Sequence, residues 1–272
     1  MSHENDRRTR DRMKAKKAFF ISVAVLVAVI AVSVLVLVKC TGTFSRPDPT
    51  PPVTPADTDT DTSRVEEVTE PPEPKLPENP IDFSKWMGEN DDIYAYIYIP
   101  NTNVNYPILQ SGVDDNYYLR RGLDKNYLIS GVIFTQSHNK KDFSDPVTLV
   151  YGHNMTEDGS MFATLHNFED ETFFNENRDV TVYTPGHILK YEVISAFKYD
   201  NRHIMNYFNF DDPEQKAEFF NTVLNPTAFP RNVREGAELG DGDRLLVLST
   251  CMSNNSYRYL VCCKFVSDTV TK

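Results

Sequence analysis

The sequence has 272 residues, a formal net charge of −11 and four cysteines. Such acidity disfavours a nucleic acid or an anionic membrane surface as the partner of the main domain, because both are themselves negative. It reads instead as a solvated surface that favours solubility, and a chain this long buries a sizeable core without disulfide staples.

Charge is unevenly spread. Residues 1–40 hold eight Lys/Arg against three acids, whereas residues 41–272 carry 20 Lys/Arg against 36 Asp/Glu, a net of −16. Residues 1–17 therefore form a basic tail. From Ala18 to Val38 the chain runs AFFISVAVLVAVIAVSVLVLV without a charge, which meets the roughly 20 residues a helix needs to cross the hydrocarbon core. A cleavable signal peptide has a shorter apolar stretch followed by a small-residue cleavage site, so residues 18–38 are expected to be an uncleaved transmembrane helix. Seven basic residues precede this span and one follows it. The positive-inside rule then places the N-terminus in the cytoplasm and everything beyond Lys39 outside, on a single-pass protein of the cell membrane.

Residues 39–80 contain ten of the 17 prolines, mixed with Thr, Asp and Glu and almost no large apolar side chain. That composition cannot bury enough surface to offset its ordering entropy, and it predicts a disordered stalk. Residues 81–272 predict the working domain. After a short helix around Ile81–Met87 come apolar and aromatic runs bounded by turn residues: IYAYIYIP, VNYPILQ, GVIF, VTLVYGH, VTVYTPGHILKYEVISAF, LLVLSTC and YRYLVCCKFV. Their composition and spacing predict strands, with a hairpin at Pro185-Gly186. Helical pattern is expected over residues 160–168, 170–177 and 212–224, the last with Asp212 as N-cap and Pro213 in the first turn. The fold class is accordingly all-β, a barrel with helical insertions.

Cys251 ends the run LLVLSTC beside a polar stretch, a position within reach of a substrate. Cys262 and Cys263 sit inside an alternating apolar run, where a thiol behaves as a small hydrophobe. Three cysteines beyond the span leave at least one unpaired, best assigned to Cys251, while a Cys262–Cys263 disulfide or a bond from either to Cys251 stays open. A cysteine nucleophile needs its thiolate, which enzymes usually obtain from an adjacent imidazole. Of the five histidines beyond the span, His138, His166, His187 and His203 read as surface or structural residues. His153 closes the run VTLVYGH, the same strand-end placement as Cys251, and two strand ends can meet at one rim of a barrel. Acyl transfer also needs positive charge where the oxyanion forms. Arg258 opens the final strand seven residues after Cys251, so a hairpin could return its guanidinium to the thiol, although spacing alone does not separate this from a surface arginine.

Leu248-Ser249-Thr250-Cys251, Gly152-His153-Asn154-Met155 and the arginine of Tyr257-Arg258-Tyr259-Leu260-Val261 resemble, in order and context, the three signature motifs of the sortase family; Val247 stands where the family usually shows Thr. The segment Asn101–Ile108 with Tyr117-Tyr118-Leu119, Ser160-Met161-Phe162, and the insertion from Asn206 to Leu224 are similar to class B sortases in particular. The resemblance covers about residues 82–266. It implies a closed eight-stranded β-barrel and a cysteine transpeptidase that anchors surface proteins to a Gram-positive cell wall. In that reading Cys251 attacks the Thr carbonyl of an Asn-Pro-x-Thr-x-like sorting motif, His153 moves the proton and Arg258 stabilises the oxyanion. Thr250 and Asn154 are candidate substrate contacts. The implied partners are secreted proteins with a C-terminal sorting signal and an amine of a peptidoglycan precursor or a pilin. Nothing in the sequence suggests a metal-ligand cluster or a phosphate-binding loop, so no cofactor is expected.

Three alternatives accompany this reading. A class B-type pilin polymerase differs only in the amine used. A hydrolytic cysteine protease shares the thioester, but the papain-like order is Cys before His, the reverse of His153 and Cys251. A stalked surface adhesin explains the anchor and stalk and leaves the strand-end Cys, His and Arg without a role.

Overall fold

Apolar runs from Ile93 onward become the wall of a barrel. The structure, a computed structural model, describes residues 76–252 and 256–272. The expected basic tail, the membrane-crossing helix 18–38 and the stalk up to residue 75 lie outside these residues, and among the described ones no helix is long and apolar enough to cross a membrane. The end of the stalk segment meets the barrel, where the Lys272 amide donates to the Pro77 carbonyl (3.0 Å) and the Asn79 side chain to the Thr184 carbonyl (2.8 Å).

The strands are β1 Ile93–Tyr98, β2 Asn105–Leu109, β3 Phe134–Thr135, β4 Val147–Tyr151, β5 Asn154–Met155, β6 Ser160–Met161, β7 Asp179–Thr184, β8 His187–Asp200, β9 Arg231–Val233, β10 Leu245–Cys251 and β11 Tyr257–Val270. The order β11-β10-β4-β3-β2-β1-β7-β8 closes through pairing of β8 with β11, which gives the eight-stranded barrel expected from the resemblance. Closure leaves the ring without a free edge. β8 is long enough to pair β7 along its first half and the extra strand β9 along its second. β7 and β8 turn at Pro185-Gly186, where Gly186 takes φ +84°, a conformation that favours glycine.

Two cores lie on either side of one wall. Leu246 and Leu248 of β10 pack inward with Val150, Val261 and Cys263, whereas Leu245 and Val247 pack outward with Val147, Leu149, Leu260 and Cys262. The run LLVL is continuous rather than alternating because both of its faces are covered. The outer cover is the helix Pro213–Leu224, which presents Phe219, Phe220 and Val223. Asp212 caps it by accepting from the amides of Glu214 and Gln215, with Pro213 in its first turn, as expected. The two neighbouring cysteines thus belong to different cores, and both are free thiols, as is Cys251.

One expected helix differs. Ser160 and Met161 pair with Met155 and Asn154 in a small hairpin, and only residues 163–169 wind, as a 3₁₀ turn. Gly159 and Met161 both take left-handed φ, +71° and +55°, which breaks any α-helix at that point. Phe162, Leu165 and Phe168 are the fully buried apolar positions. Their spacing of three is the repeat of a 3₁₀ helix rather than the mixed three and four of an α-helix.

Candidate active site

β4 and β10 run parallel, with Val150 opposite Leu248 and Tyr151 opposite Ser249. Counting on two residues from Tyr151 and Ser249 brings His153 and Cys251 abreast at the same rim, and the Gly152 amide donates to the Ser249 carbonyl (3.2 Å) to extend the alignment. On its other edge β10 pairs antiparallel with β11, with Cys251 directly opposite Arg258. His153, Cys251 and Arg258 are therefore carried by three adjacent chain segments in that order, and all three line one cleft of about 200 Å³. That space is smaller than the roughly 300–1,000 Å³ of small-molecule sites. It suits one or two side chains of an extended peptide.

Local packing sets the position of each group. A Cβ at Gly152 would lie 2.6 Å from Ile133 and 2.7 Å from Phe162, so only glycine lets the chain pass there immediately before His153. His153 Nε2 donates to the Leu119 carbonyl (2.8 Å). That bond places a hydrogen on Nε2 and makes Nδ1 the nitrogen that gains or loses a proton. The Leu119 carbonyl lies close against Gly131, which takes φ +54° and where an added Cβ would come within 2.5 Å of that oxygen. Cys251 is partly exposed, unlike Cys262 and Cys263, whose complete burial pushes both thiols up and keeps them protonated. Arg258 Nη1 donates to the Tyr257 carbonyl (3.2 Å), and the guanidinium charge opposes the burial that pushes up the Tyr151 phenol.

A polar wall faces the rim. Tyr151 Oη (3.1 Å) and His203 Nε2 (2.8 Å) both donate to Gln136 Oε1, and Gln136 Nε2 donates to Asn116 Oδ1 (3.2 Å). His203 also caps the short helix Ile204–Tyr207, since its Nδ1 accepts from the Asn206 amide. Burial, with a lesser contribution from neighbouring His138, lowers its pKa and favours the neutral ring that this bonding requires.

The two candidate substrate contacts are placed differently from the catalytic candidates. Thr250 lines the cleft, but it is 1% exposed and its hydroxyl has no partner among the described residues. Asn154 is not among the residues that line the cleft, and its Nδ2 donates to the Cys251 carbonyl (3.0 Å). Beside it stands His166, which the sequence places among the surface or structural histidines. Its Nε2 lies 3.1 Å from both Asn154 Nδ2 and the Cys251 carbonyl, and its Nδ1 donates to Glu169 (2.6 Å). The available sequence signal was the His166 and Glu169 spacing of three on a 3₁₀ turn, which aligns the two side chains. His138 pairs loosely with Asp115 (3.7 Å) and His187 with Asp268 (2.9 Å). Among the described residues no three His, Cys, Asp or Glu side chains converge as a metal site.

Known proteins resemble this chain in sequence and in fold. The sortase domain profile matches residues 97–266. Sortase B of Listeria monocytogenes is 32% identical over 174 residues, which make up 62% of this chain and 66% of that protein, just under two thirds of its length. A mutant form of Clostridium perfringens sortase B superposes with a TM-score of 0.60 at 28% identity, covering 68% of this chain and 86% of that one. A Streptococcus pyogenes class B sortase involved in pilus biogenesis superposes with a TM-score of 0.59 at 26% identity, covering 68% and 98%. With the profile spanning most of the barrel and these relatives sharing its topology, the chain belongs to the sortase family, whose members are cysteine transpeptidases.

Proposed function

We propose that this chain is a class B-type sortase that cleaves a C-terminal sorting motif, Asn-Pro-x-Thr-x or similar, and transfers the new acyl group to an amine of a cell-wall precursor. The observation that carries the reading is the strand register that sets His153 and Arg258 on opposite flanks of Cys251. In the first half-reaction the Cys251 thiolate adds to the Thr carbonyl carbon. The carbonyl oxygen becomes an oxyanion beside Arg258, and collapse expels the amine of the following residue, which takes a proton from His153 Nδ1. The Leu119 carbonyl supports the imidazolium through Nε2–H. In the second half-reaction an incoming amine gives a proton back to His153, adds to the thioester carbon and releases the thiolate. Water in the amine's place gives hydrolysis.

The anchored topology belongs to the same proposal. A cytoplasmic N-terminus, a span at residues 18–38 and a stalk would hold the cleft outside the membrane, where secreted substrates and wall precursors meet. A second acceptor, a pilin amine, is favoured by the likeness to the S. pyogenes sortase of pilus biogenesis. The test incubates the full chain in detergent with sorting-type peptides and two amines, an oligoglycine and a lysine side chain, and identifies products by mass. Cys251-dependent transfer to either amine supports the reading and selects the acceptor. Cleavage products that form equally well with Cys251→Ala would overturn it.

A further inference from the structure

A second polar cluster is built against the back of Cys251. We propose that His166, braced by Glu169, is a positioning residue for acyl transfer: it orients the Asn154 amide, which holds the Cys251 main-chain carbonyl and so sets the direction in which the thiol leaves the strand end. The inference deepens the proposed function and rests on Cys251 being the nucleophile.

The hydrogen-bond inventory supports it. Glu169 accepts from His166 Nδ1 at 2.6 Å, so Nδ1 carries a hydrogen and the neutral ring presents a lone pair at Nε2. The Cys251 carbonyl presents another acceptor. Asn154 Nδ2, at 3.1 Å from the first and 3.0 Å from the second, has two hydrogens and can serve both. An amide turned the other way would set its oxygen against two acceptors, so the imidazole and the carbonyl together select one orientation of Asn154. That orientation leaves Asn154 Oδ1 buried and without a partner among the described residues. A buried unsatisfied oxygen is costly, and its persistence indicates that holding the carbonyl outweighs satisfying the amide. Protonation of the ring would keep the carbonyl engaged, because Nε2–H would then donate to it directly across 3.1 Å.

The ring itself is immobilised. His166 stacks on Tyr259, with centroids 4.9 Å apart and planes inclined by 21°. Tyr259 is fully buried on β11 directly opposite Thr250, the residue before Cys251. The turn carrying His166 is tied to the same rim, since the Phe162 amide donates to the His153 carbonyl (2.9 Å). A shift in this turn would therefore move the nucleophile relative to the base, and displacement of a reacting group by about 1 Å can cost roughly 10²-fold in rate.

The test uses the full chain in detergent and measures single-turnover acylation by a sorting-type peptide, KM, the rate of Cys251 alkylation by iodoacetamide and the melting temperature. His166→Leu is expected to lower kcat about 10- to 50-fold with KM within about twofold, and to change the alkylation rate. His166→Gln, whose amide oxygen can still accept from Asn154, should recover much of that loss. Glu169→Ala, at a half-exposed position that leaves the core intact, should lower kcat about 3- to 10-fold. Wild-type kcat in folded His166→Leu and Glu169→Ala, or a change confined to KM, would overturn the inference. If His166→Leu does not fold, Glu169→Ala decides by the same criterion. Persistent acylation in Cys251→Ala would instead overturn the nucleophile assignment and the inference with it.

Discussion

Replacing Gly131 by Ala tests how far the candidate base depends on a single main-chain oxygen. Gly131 takes φ +54°, and a Cβ there would lie 2.5 Å from the carbonyl oxygens of both Leu119 and Tyr118. A favourable carbon–oxygen approach is about 3.3 Å or more, so one side must retreat by about 0.8 Å. The left-handed backbone adds about 1–2 kcal/mol for a side-chain-bearing residue and the overpacking about 1–3 kcal/mol, together roughly 2–5 kcal/mol. For a domain of this size that lowers the melting temperature by about 4–20 °C. The oxygen that retreats at Leu119 is the one that accepts from His153 Nε2 at 2.8 Å. Losing that bond frees the imidazole to rotate, and the acylation rate should fall about 10- to 100-fold. The assay is single-turnover acylation at a temperature below both transitions, with Gly112→Ala as a control, because a Cβ at Gly112 meets nothing within 4 Å. A Gly131→Ala protein that melts lower yet acylates at the wild-type rate would show that the Leu119 carbonyl does not hold His153 in its working orientation.

Four further outcomes are expected. Cys262→Ala and Cys263→Ala should each cost about 1–2 kcal/mol of stability in a denaturant titration while leaving acylation intact, because both thiols are wholly buried and belong to the cores rather than to the cleft. Arg258→Ala should lower turnover about 10²- to 10³-fold with little change in peptide binding, and Arg258→Lys should recover only part, since an ammonium lacks the planar fork; steady-state kinetics separate the two effects. The lowered pKa of His203 means that its contribution is present above the ordinary histidine value of 6.5 and is lost as pH falls through the lower folded value. Acidification from about pH 7 to about pH 5 should then loosen the helix that carries Ile204 and raise KM, and His203→Asn, which keeps a capping side chain, should flatten that part of the profile. A chain beginning at Leu76 should fold and turn over peptide, and one beginning at Ile81 should melt slightly lower, because it lacks the contacts of Pro77 and Asn79 with Lys272 and Thr184.

The strands were legible because each carries a local signal. Alternation marks YRYLVCCKFV, a continuous apolar run marks LLVLSTC, and Pro185-Gly186 marks the hairpin between β7 and β8. The cleft was legible as strand ends: Cys251 and His153 each close such a run. That they stand abreast was not, because a parallel pairing between β4 and β10 joins segments about a hundred residues apart, and no local pattern encodes its register. β9 is only Arg231–Val233 and gives no periodicity to read. His166 escaped for a related reason. The pattern of residues 160–168 predicts an α-helix, on which a polar residue beside Phe162, Leu165 and Phe168 would point to solvent. In the 3₁₀ turn that forms, the same residue faces Tyr259 and the Cys251 carbonyl.

The parallel alignment of β4 with β10, and the antiparallel pairing of β10 with β11, give the cleft a direction. Neighbouring strands stand about 4.8 Å apart, so the main chains bearing His153 and Arg258 are about 10 Å apart, with Cys251 between them. In the proposed reaction those two groups are not interchangeable: one would serve a departing or arriving nitrogen, the other a carbonyl oxygen. A peptide laid across the rim can present nitrogen toward His153 and oxygen toward Arg258 in only one sense of its chain, and the reversed peptide would offer each group the wrong atom. On that proposal the polarity of the substrate is set by the order of three strands, and the long connection from β4 to β10 can vary in length and composition without reversing it.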